Sequence, residues 1–133
     1  MRCVAAIAVA CIAITSATSA QEGKLLYEEY CASCHGLDLE GQSDWMKRNE
    51  QGRLPAPPHD ETGHTWHHSD RQLLELIRDG LAAIDPGYES DMPAFGEELS
   101  DGEILAVLDY LKAHWPERER EYQAERSKRD PID

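Results

Sequence analysis

The run Cys31-Ala32-Ser33-Cys34-His35 constrains this chain more than any other feature. Two thiols separated by two residues, with an imidazole next in line, place two nucleophiles and a metal ligand on one short turn. C-x-x-C-H is the attachment motif for c-type haem. The thiols add to the haem vinyl groups as thioethers, and the adjacent imidazole reaches the iron from the proximal side. The motif therefore predicts one covalently held haem c on Cys31 and Cys34, with His35 as an axial iron ligand.

Three other chemistries use a similar pair of cysteines. A disulfide closing so small a loop would do little to staple a fold, because the chain-entropy gain grows with loop size. A thioredoxin-like pair follows a strand in an α/β pattern, and no strand pattern is evident here. A zinc site needs two more ligands, and the later histidines are available for it.

The first twenty residues bear on the choice. Arg2, an apolar run from Val4 to Ile14 and the small-residue ending Ala17-Thr18-Ser19-Ala20 read as a secretory signal, cleaved to leave Gln21 first. Of the four cysteines, Cys3 and Cys11 would leave with it. Cys11 follows Ala8-Val9-Ala10, a faint lipoprotein box, but cleavage there would discard the better site downstream. Export fits covalent haem, which is attached outside the cytoplasm. The expectation is a periplasmic, soluble chain without a transmembrane segment once the signal is removed, since a spanning helix needs about 20 apolar residues. The formal net charge of −13 excludes nonspecific nucleic-acid binding. So small a chain buries a modest core and calls for a further stabilising group.

A low-spin electron carrier needs a second axial ligand opposite His35. Met46 follows the attachment site closely, in a charged stretch, and is poorly placed to reach the other face. Met92 sits in a loop, residues 85–96, with turn residues at both ends, and Pro93 holds it in extended geometry. Met92 is the expected ligand. His59, His64, His67, His68 and His114 are the alternatives, and a bis-His iron would have a lower potential.

Helical patterns account for most of the rest. Lys24 to Tyr30 can make two turns, with Leu26 and Tyr30 on one face. Ser69-Asp70-Arg71-Gln72 is a capping box, followed by Leu73, Leu76 and Ile77 and closed by Gly80, which predicts a helix over 70–79. Ser100-Asp101-Gly102-Glu103 is a second capping box, and Ile104, Val107, Leu108 and Leu111 form one stripe. After Pro116 the chain is strongly charged and reads as a helical extension with a solvated face, Glu125 and Arg129 paired at i, i+4, and disorder beyond Arg126.

These pieces, in this order, resemble a class I c-type cytochrome. Gly23 and Tyr27 match the family's first helix, Cys31 to Gly36 the attachment site, Met92-Pro93-Ala94-Phe95 the methionine loop, and Leu99 to Ile104 the start of the last helix. The resemblance implies an all-α cytochrome c fold with three main helices around one haem. Its domain spans residues 21–115, after the signal at 1–20 and before the extension at 116–133. It also implies His35 and Met92 on the iron, and Tyr110 meeting Tyr27 where the terminal helices cross. In similar cytochromes a proline carbonyl accepts a hydrogen bond from the proximal imidazole, a role open here to Pro57 or Pro58. Trp66, Arg53 and Arg71 are candidate partners of the haem propionates, because buried carboxylates require donors. The histidines of segment 59–68 are candidate copper or zinc ligands or simply a solvated polar loop.

The leading functional expectation is a non-enzymatic single-electron carrier between two transient redox protein partners. The alternative is the haem c subunit of a larger dehydrogenase, oxidase or copper-handling complex. A haem-based sensor would require Met92 to be absent from the iron or easily displaced.

Overall fold

The computed structural model describes residues 15–133, with side chains from Ala20 onward. Most of the expected signal segment lies outside the described residues. Among those described there are six α-helices and no strand: α1 (Thr15–Tyr30), α2 (Ala32–His35), α3 (Asp70–Asp79), α4 (Leu81–Ile84), α5 (Asp101–Ala113) and α6 (Glu117–Arg129). A single 3-10 turn, Thr65–His67, interrupts the long segment between α2 and α3. No helix among the described residues is long and apolar enough to cross a membrane.

The crossing of α1 and α5 organises the core. Gly23 is the point of closest approach, since a Cβ there would lie 2.1 Å from the Ala106 carbonyl oxygen. Any side chain would push the helices apart. One turn further on, Tyr27 meets Tyr110 at 5.4 Å between ring centroids. Tyr27 is fully buried and packs with Leu39, Leu73, Val107, Leu108, Leu111 and Trp115. Its hydroxyl donates to the Gly36 carbonyl at 2.7 Å, which ties α1 to the end of α2. A smaller cluster of Leu74, Leu99 and Ile104 continues the core toward Phe95 and Tyr30.

Both capping boxes form. Ser69 Oγ accepts from the Gln72 N–H at 3.1 Å and the Gln72 side chain accepts from the Ser69 N–H, so α3 begins and ends at the residues its pattern predicts. At α5, Ser100 and Glu103 make the same reciprocal pair. The first helix is longer than its reading: it is already formed at Thr15, the first described residue, and runs through the expected cleavage point. The short α4, one turn after Gly80, has no periodic signal in sequence because a single turn is too short to show one.

The C-terminal extension corrects the expectation of a solvated helix fraying after Arg126. Helix α6 continues to Arg129, with Pro116 as N-cap, and buries Glu119 and Gln123. Its inner face is polar. The Gln123 amide donates to Asp70 Oδ1 at 2.7 Å and to the His68 carbonyl at 3.2 Å, while Ser127 Oγ accepts from the Asp70 N–H at 3.0 Å. Asp130 accepts from Ser69 Oγ and, at 2.6 Å, from Arg71 Nε. Lys112 of α5 joins the same cluster through Asp70 at 2.7 Å. Glu125 pairs with Lys128 at 2.6 Å, and not with Arg129.

The bonds from Ser69 and Arg71 hold the Asp130 carboxyl below the usual carboxylate range. A carboxyl whose pKa is lowered by folding adds stability above its unfolded value, about 3.9, and loses it as pH falls through the folded value. We therefore expect Asp130→Asn to lower the urea midpoint at pH 6, with the gap from wild type closing as pH drops below about 4. A gap that is constant with pH would show that the carboxylate charge contributes nothing to the clasp.

Candidate haem-binding site

Helix α2 and its N-cap, Cys31, carry the two thiols and the imidazole on little more than one turn. Cys31 and Cys34 are both free thiols, Cys31 half-buried and Cys34 exposed. Their i, i+3 spacing places them on one side of the turn. Burial, and then proximity to Cys34, push the Cys31 thiol up to about 11.

His35 is 6% exposed. Its Nδ1 lies 2.8 Å from the Pro57 carbonyl oxygen. A carbonyl can only accept, so Nδ1 carries the proton and the lone pair resides on Nε2, which has no hydrogen-bond partner among the described residues. Burial lowers the His35 pKa below the ordinary imidazole value, with the Pro57 bond pulling the other way.

The Pro57 carbonyl reaches His35 because the chain doubles back tightly. Gly41 donates its N–H to the His35 carbonyl at 2.7 Å, and Gln42 donates to the Ala56 carbonyl at 2.8 Å. Gly41 has φ +67, and a Cβ on it would lie 2.4 Å from the Pro58 nitrogen, so glycine is required there. Of the two prolines considered for this role, Pro57 supplies the carbonyl, while Pro58 is buried against Gly63.

The Met92 loop is tied at both ends. On one side the Arg53 guanidinium pairs with Asp91 and lies 4.0 Å from Glu89. On the other, Phe95 and Gly96 donate to the carbonyls of Ile77 and Arg78 at 2.9 and 3.0 Å, fastening the loop to the end of α3. Phe95 also meets Tyr30 edge to face at 6.2 Å, which brings the loop to the residue preceding Cys31. Met92 is half-buried, whereas Met46 is 74% exposed.

The remaining candidates fall in three places. Arg53 keeps a buried Nε without a hydrogen bond, 4.0 Å from the Glu89 carboxylate. Arg71 is engaged by Glu75 at 2.9 Å and by Asp130, at the α6 clasp. Trp66 donates to the Glu61 carbonyl at 3.3 Å and packs between His67 and Tyr122, with the Arg118 guanidinium 5.8 Å from its ring.

The histidines disperse. His59 stacks on His35, His64 stacks on Trp45, His67 faces Trp66, and His114 Nδ1 bonds the Tyr110 carbonyl at 2.8 Å. The 3-10 turn brings the His64 and His68 rings to 5.8 Å. Among the described residues no group of three or more His, Cys, Asp or Glu side chains is arranged to hold a metal ion. Sequence reasoning missed Trp115, which is 2% exposed and donates its indole N–H to the His59 carbonyl at 2.7 Å. No local signal separates such a donor from an ordinary core aromatic.

These residues suit a covalently held haem. Two unbridged thiols lie one turn apart, and beside them is an imidazole whose proton is committed to a backbone carbonyl, leaving its other nitrogen available to a metal.

With only helices among the described residues and this motif directly after the first of them, the chain holds a c-type cytochrome domain. The family model described as cytochrome c oxidase, cbb3-type, subunit III, matches residues 18–111, and the chain belongs to that family. The fructose dehydrogenase cytochrome subunit of Gluconobacter japonicus is 31% identical over 103 residues, covering 74% of this chain and 19% of that protein. The cbb3-type cytochrome c oxidase subunit CcoP of Azospirillum brasilense is 30% identical over 98 residues, covering 73% of this chain and 29% of that protein. The subunit FixP of Azorhizobium caulinodans is 29% identical over 93 residues, covering 69% and 28%. The chain thus spans between 19% and 29% of the length of these relatives. No solved structure matches it.

Proposed function

We propose that this chain carries one haem c, bound covalently through Cys31 and Cys34 with His35 and Met92 as axial ligands, and serves as an electron-transfer subunit of a larger exported redox complex. The observation that carries the haem reading is the His35 geometry: Nδ1–H is held by the Pro57 carbonyl and Nε2 is left free beside two unbridged thiols. The subunit reading draws on relatives that are cytochrome subunits of a dehydrogenase and of cbb3-type oxidases. It displaces the expectation of a free carrier as the leading reading.

When bound, the group supplies a one-electron ferrous–ferric couple. The chain's own residues hold and tune it. The Pro57 carbonyl fixes the His35 tautomer and raises the basicity of Nε2. Pro93 and the ties at Asp91, Phe95 and Gly96 hold the Met92 thioether in a fixed loop. The Arg53 Nε, which makes no hydrogen bond, is a donor suited to a carboxylate at the haem edge. Trp66 and Arg71, committed to the α6 side, serve the fold in this reading. His35 and Met92 would together hold the iron, and the chemistry the group would then supply is electron transfer. We assign it to the periplasm, with cleavage after Ala20, residues 21–115 as the haem domain and residues 116–133 as the docked extension.

Replacing Met92 by Ala is expected to abolish the weak sulfur-to-iron charge-transfer band at the red edge of the ferric spectrum while the haem stays attached. A band that survives in the variant, or is missing from wild type, excludes Met92 as ligand. Haem staining of native gels of host periplasm and gently solubilised membranes tests the assembly. The subunit reading predicts this chain in a band of much larger size, and a band at the size of the chain alone would instead favour a free carrier.

A further inference from the structure

We infer that His59 is a positioning residue for His35, its imidazole stacked on the His35 ring so as to fix the plane in which that ring presents Nε2. The ring centroids lie 4.0 Å apart with an interplanar angle of 23°. This inference rests on the reading of His35 as an axial ligand.

His59 is itself held by several contacts. Its N–H donates to the Leu39 carbonyl at 2.8 Å, and its own carbonyl accepts from Trp115 Nε1 at 2.7 Å. Its Nδ1 is hydrogen-bonded to Thr65 Oγ1 at 2.7 Å, and Tyr27 meets its ring edge-on at 6.4 Å. Leu39, which accepts the His59 N–H, adopts φ 64, a left-handed conformation unfavourable for leucine. The surrounding structure tolerates that strain, and the result is a His59 ring with a fixed place and plane.

The Pro57 hydrogen bond alone leaves the His35 ring some freedom, because hydrogen-bond angles tolerate tens of degrees. A near-parallel ring against its face removes much of that freedom. The two restraints come from one segment, the carbonyl from Pro57 and the ring from His59, two residues on. An aliphatic residue would fill the same space without needing Thr65 as a polar partner, so filling space does not account for an imidazole there. The plane of an axial imidazole and the electron density at its nitrogen are levers on a haem iron. By lying on the His35 face, His59 is also excluded as the ligand opposite it.

The test uses the full haem-loaded chain with His59→Leu, which removes the flat face, and His59→Phe, which keeps a flat ring without nitrogens. Two signals are read: the pattern of haem methyl resonances in the ferric proton NMR spectrum, which reports the axial ring plane, and the ferric-to-ferrous ratio at the wild-type midpoint. His59→Leu is expected to reorder the methyl resonances and to shift the ratio by about three- to tenfold, a tenfold change being about 59 mV for one electron. His59→Phe is expected to restore the wild-type methyl order, a rescue that a residue acting only through stability would not show. A His59→Leu protein with the wild-type pattern and ratio overturns the inference. If His59→Leu does not load haem, Thr65→Val frees the His59 ring to turn without removing it, and an unchanged methyl pattern there overturns the inference equally. A wild-type ferric spectrum lacking a low-spin axial imidazole overturns the ligand reading and this inference together. A low-spin wild type with an unchanged leucine variant overturns this inference alone.

Discussion

The hydrogen bond from His35 Nδ1 to the Pro57 carbonyl is the contact on which the rest of this molecule turns. It decides which nitrogen of His35 carries the proton, and it requires the chain to return to α2 after a long excursion. The return accounts for Gly41 lying flush against the Pro57–Pro58 peptide, for the bond from Gln42 to Ala56, and for the left-handed turn at Leu39 that receives His59. Each of these is unfavourable or unnecessary for an isolated loop, and each is explained once the carbonyl must meet the imidazole.

The helices serve that contact from behind. Gly23 lets α1 approach α5 at backbone distance, Tyr27 fills the crossing and reaches the Gly36 carbonyl, and Trp115, just past the end of α5, bonds the His59 carbonyl. The same core therefore fixes both the start and the finish of the loop that presents Pro57. Helix α6 extends this support by a different means, a row of polar side chains closing on the N-terminus of α3. Such bonds add about 0.5–1.5 kcal/mol each, and leaving a buried partner unsatisfied costs about 1–3 kcal/mol, so a satisfied polar seam is a stable one.

What the sequence made legible follows from the range of each interaction. The attachment motif, both capping boxes and the stripe of α5 are local patterns, and the structure places each of those helices as its pattern requires. The capping serines succeed as signals because their partners lie three residues away. The α6 clasp was hidden because its inner face, Glu119, Gln123, Ser127 and Asp130, has helical spacing but no hydropathy, and hydropathy is what a periodicity search reads. The His59 stack and the Trp115 bond were hidden because their partners are distant in sequence, 24 and 56 residues for the pairs His35–His59 and Trp115–His59. Arg71 and Trp66 show the converse. The Arg71 guanidinium bonds Asp130 and Glu75 and the Trp66 indole N–H bonds the Glu61 carbonyl, partners that residue type alone does not reveal.

In the proposed function Cys31 and Cys34 hold a haem and are neither free nor paired thiols. Intact mass of the exported chain after full denaturation tests it most directly. The expected mass is that of the polypeptide plus one haem, surviving denaturation because both attachments are thioethers, with neither cysteine open to alkylation. A chain at the bare polypeptide mass with two alkylatable cysteines would contradict it.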